Sequence, residues 1–397
     1  MTPVGTSQKL NIFMSWMVLI LSVILTANAA NQTSLKFVTV IFRHGDRAPD
    51  PPEMYPNDPY YNDPFYPVGL GGLTNKGKLR EYELGEVLRR RYFDFLGGVY
   101  VPESILAQST DYKRTKMCLQ IVLSALYPPG TFQQWNNQLN WQPIPTTYWP
   151  SEEDWLLIPE ECPEYIEERK KAENLPEVIE KVEKFRDFMS NLTILTGKNI
   201  SGTYDFYLLY HILTAEQSMQ LRLPNWTEGL FPHGKLLDGI LLEYEIFSYT
   251  QKMRRLNGGK LLYSILNDIQ AVKDGSIGGR KINLYSGHET NVVALLQTLG
   301  VFKYHVPQYG SAVIVELHEI DNQYYMKIIY YLGIPSTIEV LQIPGCDELC
   351  PLEQFIDLLS DVTPSSDEIL CDKSNVETYT SKMTVKPKNS AQGSSTA

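Results

Sequence analysis

Two arginines flank a histidine and a glycine near the start of the chain, where residues 43–49 read RHGDRAP. The guanidinium groups of Arg43 and Arg47 can each donate two parallel hydrogen bonds to a phosphate group. The imidazole of His44 lies between them in the sequence and can act as a base or a nucleophile. Gly45 has no side chain and lets the backbone come close to a ligand. An arginine-rich surface loop is the alternative, but the segment directly follows an apolar run, and this position favours a site.

Two later segments carry side chains of the same kind. Arg114 lies in the first turn of a predicted helix, where the helix dipole also favours an anion. His288 and Glu289 follow the strand-like segment 281–286. Ligands of open α/β sheets bind beyond the carboxyl ends of the strands, so we expect these groups to converge with the first cluster. Three arginines, two histidines and one carboxylate suit phosphoryl transfer in which protein cations take the place of a metal ion.

The segments that must hold these residues alternate between strand and helix patterns. Residues 35–42 are almost entirely apolar and predict a buried parallel strand. The other predicted strands are residues 104–108, 281–286, 311–317 and 324–332, and the neighbouring predicted helices are residues 74–95, a helix capped within 109–111 that runs to 127, and residues 290–299. Asp321 and Asn322 form the predicted turn of a hairpin. This order predicts an α/β fold, with a doubly wound, mostly parallel sheet and helices on both faces.

The character of the sequence changes after residue 160. Residues 161–257 are rich in charged helical segments and contain few strand-like runs, which predicts a mainly helical cap inserted into the α/β domain. We expect residues 31–160 and 258–371 to form the two parts of that domain. Residues 372–397 are rich in serine, threonine and lysine and nearly lack apolar side chains, which predicts a disordered tail.

Residues 1–30 predict a secretory signal peptide. Lys9 precedes a mostly apolar run, and the small residues at 27–30 are typical of a cleavage site. A membrane anchor is the alternative, but the small residues follow closely, and the sequence has no second apolar run of spanning length. Four N-x-[ST] sequons agree with the secretory route and are candidate glycosylation sites: Asn31, Asn191, Asn199 and Asn225. We therefore expect a secreted, extracellular protein that does not associate with a membrane after signal removal.

Charge and cysteine content give information about possible partners and disulfide bonds. The formal net charge of -11 argues against nucleic acid as a partner. Five cysteines leave one without a partner if the others pair. Cys346 and Cys350 lie four residues apart between proline residues, which predicts a local disulfide in an oxidising compartment. Cys118 lies on the apolar face of a predicted helix, where we expect a buried and inert thiol.

Four sequence segments together resemble one enzyme family: RHGDRAP at 43–49, STDYKRT at 109–115, SGHETN at 286–291 and PGCDELCP at 344–351. The first is similar to the signature of the histidine acid phosphatases. This branch of the histidine phosphatase superfamily includes prostatic and lysosomal acid phosphatases and phytases. Within it, the four segments most resemble hymenopteran venom acid phosphatases, and the similarity extends from about residue 35 to 372.

The resemblance implies a role for each candidate residue. His44 matches the nucleophile that accepts the phosphoryl group, and Glu289 occupies the place of the acid that protonates the leaving alcohol. The residues that match the family's phosphate-binding groups are Arg43, Arg47, Arg114 and His288. The implied enzyme is an acid phosphatase that hydrolyses small phosphate monoesters and requires no metal or other cofactor. Relatives are commonly dimers, so a homodimer is an alternative to a monomer.

Two disulfides are also implied by the resemblance. Cys162–Cys371 and Cys346–Cys350 both match bridges of the mammalian acid phosphatases in position. Those relatives have a third bridge, and this chain lacks its cysteines. The implied pairing leaves Cys118 as the free thiol.

The chain departs from the family at Glu289, because most mammalian and fungal relatives have aspartate there. The extra methylene moves the carboxyl by about one bond length, and misplacement of this size can reduce catalysis roughly 100-fold. One alternative is therefore a catalytically weak secreted binding protein, comparable to an allergen, on the same fold. A lysophosphatidic acid phosphatase and a phytase are further alternatives, although the acidic cap argues against a polyphosphate substrate. A full enzyme should have an acidic optimum, since cations keep His44 neutral while the acid must be protonated.

Overall fold

The strands of residues 34–371, the part of the chain that this computed structural model describes, form one mixed sheet. The strands are β1 (Leu35–Arg43), β2 (Ile105–Ser109), β3 (Thr147–Tyr148), β4 (Ile282–Gly287), β5 (Ala312–Ile320), β6 (Gln323–Tyr331), β7 (Ile338–Leu341) and β8 (Cys350–Pro351). Their order in the sheet is β3-β2-β4-β1-β5-β6-β7, and β8 pairs with β6. The pairs on the β3-β2-β4-β1 side are parallel, whereas β5, β6 and β7 pair antiparallel. The predicted α/β class is confirmed.

Helices connect these strands. They are α1 (Asn75–Leu96), α2 (Lys113–Leu126), α3 (Pro163–Glu173), α4 (Pro176–Glu183), α5 (Arg186–Thr196), α6 (Thr203–Ser218), α7 (Lys235–Phe247), α8 (Gln251–Leu256), α9 (Gly258–Lys273), α10 (Glu289–Thr298), α11 (Leu352–Leu359) and α12 (Ser366–Ile369). A short 3-10 helix at Pro51–Glu53 follows the first cluster of candidate residues. Each predicted strand and helix of the α/β part lies within a few residues of an observed one.

Helices pack on both faces of the sheet, as predicted. On one face, Phe37 and Ile41 of β1 join an apolar core with Leu261 of α9, Leu295 of α10 and residues of α11. On the other face, the carboxylate of Glu316 in β5 accepts hydrogen bonds from α1, at 2.7 Å from the Tyr92 hydroxyl and 2.8 Å from Arg91 Nε. Because both of its faces are covered, β1 is buried from Phe37 to Arg43.

The predicted hairpin is present in the antiparallel half of the sheet. β5 and β6 pair along their whole length, and Ile320 faces Gln323 at the turn. The turn residues Asp321 and Asn322 have φ values of 49° and 60°. These left-handed conformations suit Asp and Asn better than other residues with side chains.

The segment predicted as a helical cap contains helices and, within residues 163–273, no strand. The charged helical stretch over 163–195 forms three separate helices, α3, α4 and α5. Pro176 explains the first break, since proline begins a helix more readily than it continues one. The helical run extends through α9, beyond the predicted boundary at residue 257. The cap as a separate domain remains a prediction.

The start of α2 also differs from the prediction. The N-cap is Tyr112, not one of residues 109–111. The Thr110 hydroxyl lies 2.8 Å from the Thr115 hydroxyl and 3.1 Å from His288 Nε2. Thr110 therefore contacts the candidate site residue His288 instead of capping the helix. In α1, by contrast, Thr74 is the N-cap and accepts a hydrogen bond from the Gly77 amide at 3.1 Å.

The structure contains the two disulfides that the resemblance implies. They join Cys162 to Cys371 and Cys346 to Cys350, with sequence separations of 209 and 4 residues. Cys118 is free and buried. No helix within residues 34–371 combines the length and apolar composition needed to cross a bilayer. The predicted signal peptide at 1–30, the sequon at Asn31 and the predicted tail at 372–397 lie outside the described residues.

Candidate active site

The register of the parallel strands brings the predicted strand ends together. Arg43 at the end of β1 lies opposite Gly287 at the end of β4, and Ser109 at the end of β2 lies opposite Ser286. The pairing continues past β1, because the His44 amide donates to the Gly287 carbonyl at 3.1 Å. The three segments that carry the candidate residues therefore begin side by side at one edge of the sheet.

The loop after β1 is held by α1. Asp46 is buried and accepts a hydrogen bond from Arg80 Nε at 2.6 Å, and Lys76 Nζ lies 3.2 Å from its other oxygen. A Cβ atom on Gly45 would lie 2.4 Å from the carbonyl oxygen of Gly77 in the first turn of α1. The sequence prediction gave Gly45 a role in approaching the ligand. In the structure, its missing side chain permits the close contact with the α1 backbone.

His44 is almost completely buried, with 1% of its surface exposed. Its Nδ1 lies 2.9 Å from the Gly45 carbonyl oxygen, and a carbonyl can only accept, so Nδ1 carries the hydrogen. Burial, followed by the charges of Arg114, Arg43, His288 and Arg47, lowers the pKa of His44 well below its ordinary value. The imidazole is therefore neutral, and the lone pair is on Nε2.

Each arginine of the cluster contacts an acidic side chain, which for Arg43 is Glu289. Arg47 donates two hydrogen bonds to Glu53, one of them 2.8 Å long, and Arg114 donates to Asp50 at 2.9 Å. The guanidinium of Arg43 lies 4.2 Å from the centre of the Tyr309 ring and donates to the carbonyl of Pro307. The acidic partners fix the positions of cations that would otherwise repel one another.

Several guanidinium donors nevertheless remain without a partner. Nη2 of Arg43, Nε of Arg47 and Nε of Arg114 are buried and make no hydrogen bond with the described residues. A buried charged donor without an acceptor costs free energy. Three such donors around one histidine therefore indicate a site for an anion with several oxygen atoms.

His288 lies beside the three arginines and is itself neutral in this environment. Its ring centre lies 5.6 Å from that of His44, and the Tyr112 ring packs edge-on at 4.9 Å. Burial, followed by the charge of Arg114, lowers the pKa of His288 to about 3, against the opposing effect of Glu289. The two histidines are thus neutral groups among three permanent cations.

The carboxylate of Glu289 is held from two sides. Its Oε1 accepts a hydrogen bond from the Tyr207 hydroxyl at 2.5 Å and lies 3.3 Å from His211 Nε2. Its Oε2 lies 3.4 Å from Arg43 Nε. Burial is the strongest influence on this carboxyl and raises its pKa. The charges of His211 and Arg43, with the hydrogen bonds from His211 and Tyr207, outweigh it and hold the pKa well below the ordinary range.

The structure brings all six predicted site residues into one buried cluster, although their chemical roles remain predictions. Sequence reasoning missed the acidic partners Asp50 and Glu53, which follow the signature directly and could have been found by asking what balances its arginines. The sequence also gives no signal that places His211 and Tyr207 at the site. These two lie four positions apart within the mostly apolar run 206–213, a pattern that is more typical of a core face.

Comparison with known proteins identifies the family. The family model for the histidine phosphatase superfamily, branch 2, matches residues 34–331. The venom acid phosphatase Acph-1 of Apis mellifera is 46% identical over 356 residues, which cover 89% of this chain and 92% of the relative. Human prostatic acid phosphatase is 34% identical over 348 residues, covering 86% of this chain and 89% of the relative. Human lysosomal acid phosphatase is 34% identical over 340 residues, covering 83% and 78%.

Solved structures give the same fold. The phytase of Citrobacter braakii superimposes with a TM-score of 0.61 at 16% identity, covering 84% of this chain and 99% of that one. The apo form of Hafnia alvei phytase gives a TM-score of 0.62 at 16% identity, covering 84% and 98%. At this identity the match concerns the fold alone. On the evidence of the family model and of the curated relatives, the chain belongs to branch 2 of the histidine phosphatase superfamily.

Proposed function

We propose that this protein is a secreted acid phosphatase that hydrolyses phosphate monoesters through a phosphohistidine on His44. The observation that carries the proposal is the environment of His44. A neutral imidazole with its lone pair on Nε2 lies among three arginines that retain unpartnered donors. This arrangement offers a nucleophile and an anion site at the same place.

The proposed reaction gives each of these groups a role. Arg43, Arg47, Arg114 and His288 bind the non-bridging phosphate oxygens, which leaves the phosphorus facing His44. Nε2 of His44 forms a bond to phosphorus while the bond to the ester oxygen breaks, and that oxygen takes a proton from Glu289. Water then attacks the phosphohistidine, gives up a proton to Glu289 and releases inorganic phosphate. Throughout, the arginines stabilise the charge that develops on the phosphoryl oxygens.

Glu289 must be protonated to act as the acid, although its pKa is low in the structure without substrate. A bound phosphate changes this balance because its negative charge offsets that of Arg43 and acts directly on the carboxyl. Both effects raise the pKa of Glu289. A substrate-dependent pKa therefore lets the same group be an acid in the complex and a carboxylate in the free enzyme.

Hydrolysis of p-nitrophenyl phosphate between pH 3 and 9 tests the proposal. We expect turnover that peaks at acid pH, that resists a metal chelator and that His44→Ala abolishes. Because the pKa of His44 lies well below its ordinary value, activity should persist well below pH 6.5, where a free histidine is half protonated.

Other results of this assay would contradict the mechanism or favour one of the alternatives. If His44→Ala retained activity, or if the chelator removed it, the mechanism would be wrong. Phosphate binding without turnover in the unaltered protein would favour the binding-protein alternative. A preference for phytate or lysophosphatidic acid by orders of magnitude in kcat/KM would identify one of the specialised phosphatases instead.

Secretion and glycosylation form the other part of the proposal. The relative from Apis mellifera is named as a venom protein. The sequon residues Asn191, Asn199 and Asn225 are exposed. Expression of the full chain in insect cells should yield enzyme in the medium that lacks residues 1–30 and loses mass on treatment with an N-glycosidase. Retention in the cell membrane, with residues 1–30 intact, would support the anchor alternative.

A further inference from the structure

We propose that Tyr207 and His211 are positioning residues that fix the carboxyl of Glu289 so that its Oε2 faces the phosphate site. The inference rests on the proposed role of Glu289 as the proton donor. It assigns a catalytic purpose to one face of α6, a helix that contributes none of the residues predicted from the sequence.

The geometry of the carboxyl is the first argument. Its two oxygens have different surroundings, since Oε1 contacts Tyr207 at 2.5 Å and His211 at 3.3 Å, while Oε2 contacts Arg43 at 3.4 Å. The α6 side chains therefore occupy one oxygen and leave the other toward the cations. A carboxyl that rotated freely would present either oxygen to the leaving group, and proton transfer would be slower because the group is less well oriented.

The contacts of His211 provide a second argument. This side chain is 1% exposed, and its Nδ1 has no hydrogen-bond partner among the described residues. Its polar contacts with the described residues are at Nε2, which faces Glu289 and lies 3.4 Å from the Tyr244 hydroxyl. A buried imidazole with one unsatisfied nitrogen is a poor core residue. Its contact with Glu289 accounts for its presence.

The spacing on α6 gives a third argument. Tyr207 and His211 are four residues apart, so their side chains lie on the same face of the helix, with ring centres 4.5 Å apart. The helix packs against the 3-10 turn Pro51–Glu53, which carries the carboxylate partner of Arg47. The same helix thus contacts the surroundings of both Glu289 and Arg47.

The length of Glu289 explains why such support is needed. Glutamate has one more rotatable bond than aspartate, and ordering it costs more conformational entropy. The added methylene also carries the carboxyl farther from the backbone. Hydrogen-bond donors from a neighbouring helix offset this cost and hold the longer side chain in one orientation.

Substrates with different leaving groups test the proposal. p-Nitrophenolate departs without protonation, whereas the alkoxide of 2-glycerol phosphate requires a proton from the acid. For Tyr207→Phe and His211→Leu we expect kcat/KM toward 2-glycerol phosphate to fall about 10- to 100-fold, but toward p-nitrophenyl phosphate by less than about 3-fold. His211→Gln restores a donor near the Nε2 position and should recover part of the loss.

Two controls separate positioning from stability. Tyr204→Phe removes a hydroxyl from the exposed ring that stacks on Tyr207, at 5.6 Å between centres, and should leave both substrates unaffected. In a Glu289→Gln background, Tyr207→Phe should cause no further loss, because the group that it positions is gone. Equal losses for both substrates, or an additional loss in the Glu289→Gln background, would overturn the inference.

Failure of the inference can be distinguished from failure of the proposed function. If Glu289→Gln itself left 2-glycerol phosphate hydrolysis unchanged, the proton-donor role would be wrong, and the positioning role with it. If Glu289→Gln was strongly impaired while Tyr207→Phe and His211→Leu kept full activity, the phosphatase mechanism would stand and only the α6 contribution would be rejected.

Discussion

At the scale of single residues, the site is a set of charges whose effects depend on burial. His44 and His288 are neutral because burial and the neighbouring arginines both disfavour a further positive charge. Glu289 is ionised because Arg43 and His211 overcome the opposing effect of burial. All three pKa values are therefore lowered, and without substrate the nucleophile and the carboxyl are both deprotonated. The charge of the bound phosphate must then raise the pKa of Glu289 before this residue can protonate the leaving group.

The length of the side chain at position 289 should matter. Glu289→Asp shortens the side chain by one methylene group and withdraws the carboxyl from Tyr207 and His211. We expect kcat/KM toward 2-glycerol phosphate to fall about 10- to 100-fold, because misplacement by one bond length is costly. Steady-state kinetics with Glu289→Gln for comparison measure the effect. An Asp variant as active as the unaltered protein would mean that the α6 contacts do not set the position of the acid.

The sequence predicted the residues at strand ends but not their partners. Arg43, Arg114 and His288 could be found because each follows a recognisable strand or helix signal. Tyr207 and His211 lie more than seventy residues from Glu289 in the sequence, on a helix whose pattern resembles an ordinary core face. Which side of that helix would face the site depends on tertiary packing, and local pattern carries no information about it.

At the scale of elements, the loop after β1 depends on its contact with α1. Gly45→Ala would place a methyl group 2.4 Å from the Gly77 carbonyl oxygen, so the loop or the helix must move. We expect a loss of about 1–3 kcal/mol in the free energy of unfolding, together with reduced activity. Thermal unfolding of the variant measures this.

Gly98→Ala is the matched control, because the nearest atom to its added Cβ is 3.9 Å away. It should leave both stability and activity close to those of the unaltered protein. If Gly45→Ala and Gly98→Ala were equally stable and active, the close contact with α1 would not constrain the signature loop.

Two buried carboxyl groups join the loop after the RHGDRAP segment to α6. Asp58 of the loop and Glu216 of α6 are buried carboxyl groups whose charges interact, and burial raises the pKa of both. Tyr55 and Glu53 are titratable groups that also interact with Glu216. The loop is also bound to the helical segment through backbone atoms, with the Asn57 amide 2.9 Å from the Thr196 carbonyl.

This pair should make stability depend on pH. A raised pKa means that the folded protein keeps a proton that the unfolded chain releases. The contribution of this proton to the free energy of unfolding is therefore complete below the ordinary carboxyl pKa. It is lost as the pH rises through the raised pKa of the folded protein. Glutamine does not ionise, so Glu216→Gln removes the loss of stability at high pH. The variant should raise Tm at pH 8 by on the order of 2 °C, with little change at pH 4. Exposed Glu228→Gln is the control. A lower Tm for Glu216→Gln at pH 8 would show that the pair stabilises as an ion.

At the scale of the whole molecule, the Cys162–Cys371 bridge joins distant parts of the chain. Cys162 directly precedes α3, the first helix of the predicted cap, and Cys371 is the last described residue. The bridge closes a loop with a sequence separation of 209 residues, compared with 4 for Cys346–Cys350. In the chain-entropy account, the longer loop restricts the unfolded state far more.

Paired serine substitutions test this difference. Replacing Cys162 and Cys371 by serine should lower the free energy of unfolding by about 3 kcal/mol more than replacing Cys346 and Cys350. Denaturant unfolding of the oxidised proteins provides the comparison. An equal or smaller effect for the longer bridge would indicate that local strain and packing, rather than loop closure, determine what each disulfide contributes.

The α/β core was the most predictable part of the fold. Its strands are short apolar runs, and turn residues such as Asp321 and Asn322 mark where they end. The helical segment was less predictable, because the Lys/Glu-rich stretch over 163–195 carries one helical period throughout while Pro176 divides it. The order of strands in the sheet is set by long-range pairing, which a single sequence does not contain.

In the proposed mechanism, His44 carries the phosphoryl group during turnover. The most direct test mixes the enzyme with excess substrate, denatures it within milliseconds in alkali, where phosphohistidine is stable, and maps the modified peptide by mass spectrometry. We expect the mass of one phosphoryl group on the peptide that contains His44, and no adduct in His44→Ala. An active enzyme that yielded no adduct, or an adduct on another residue, would contradict the account.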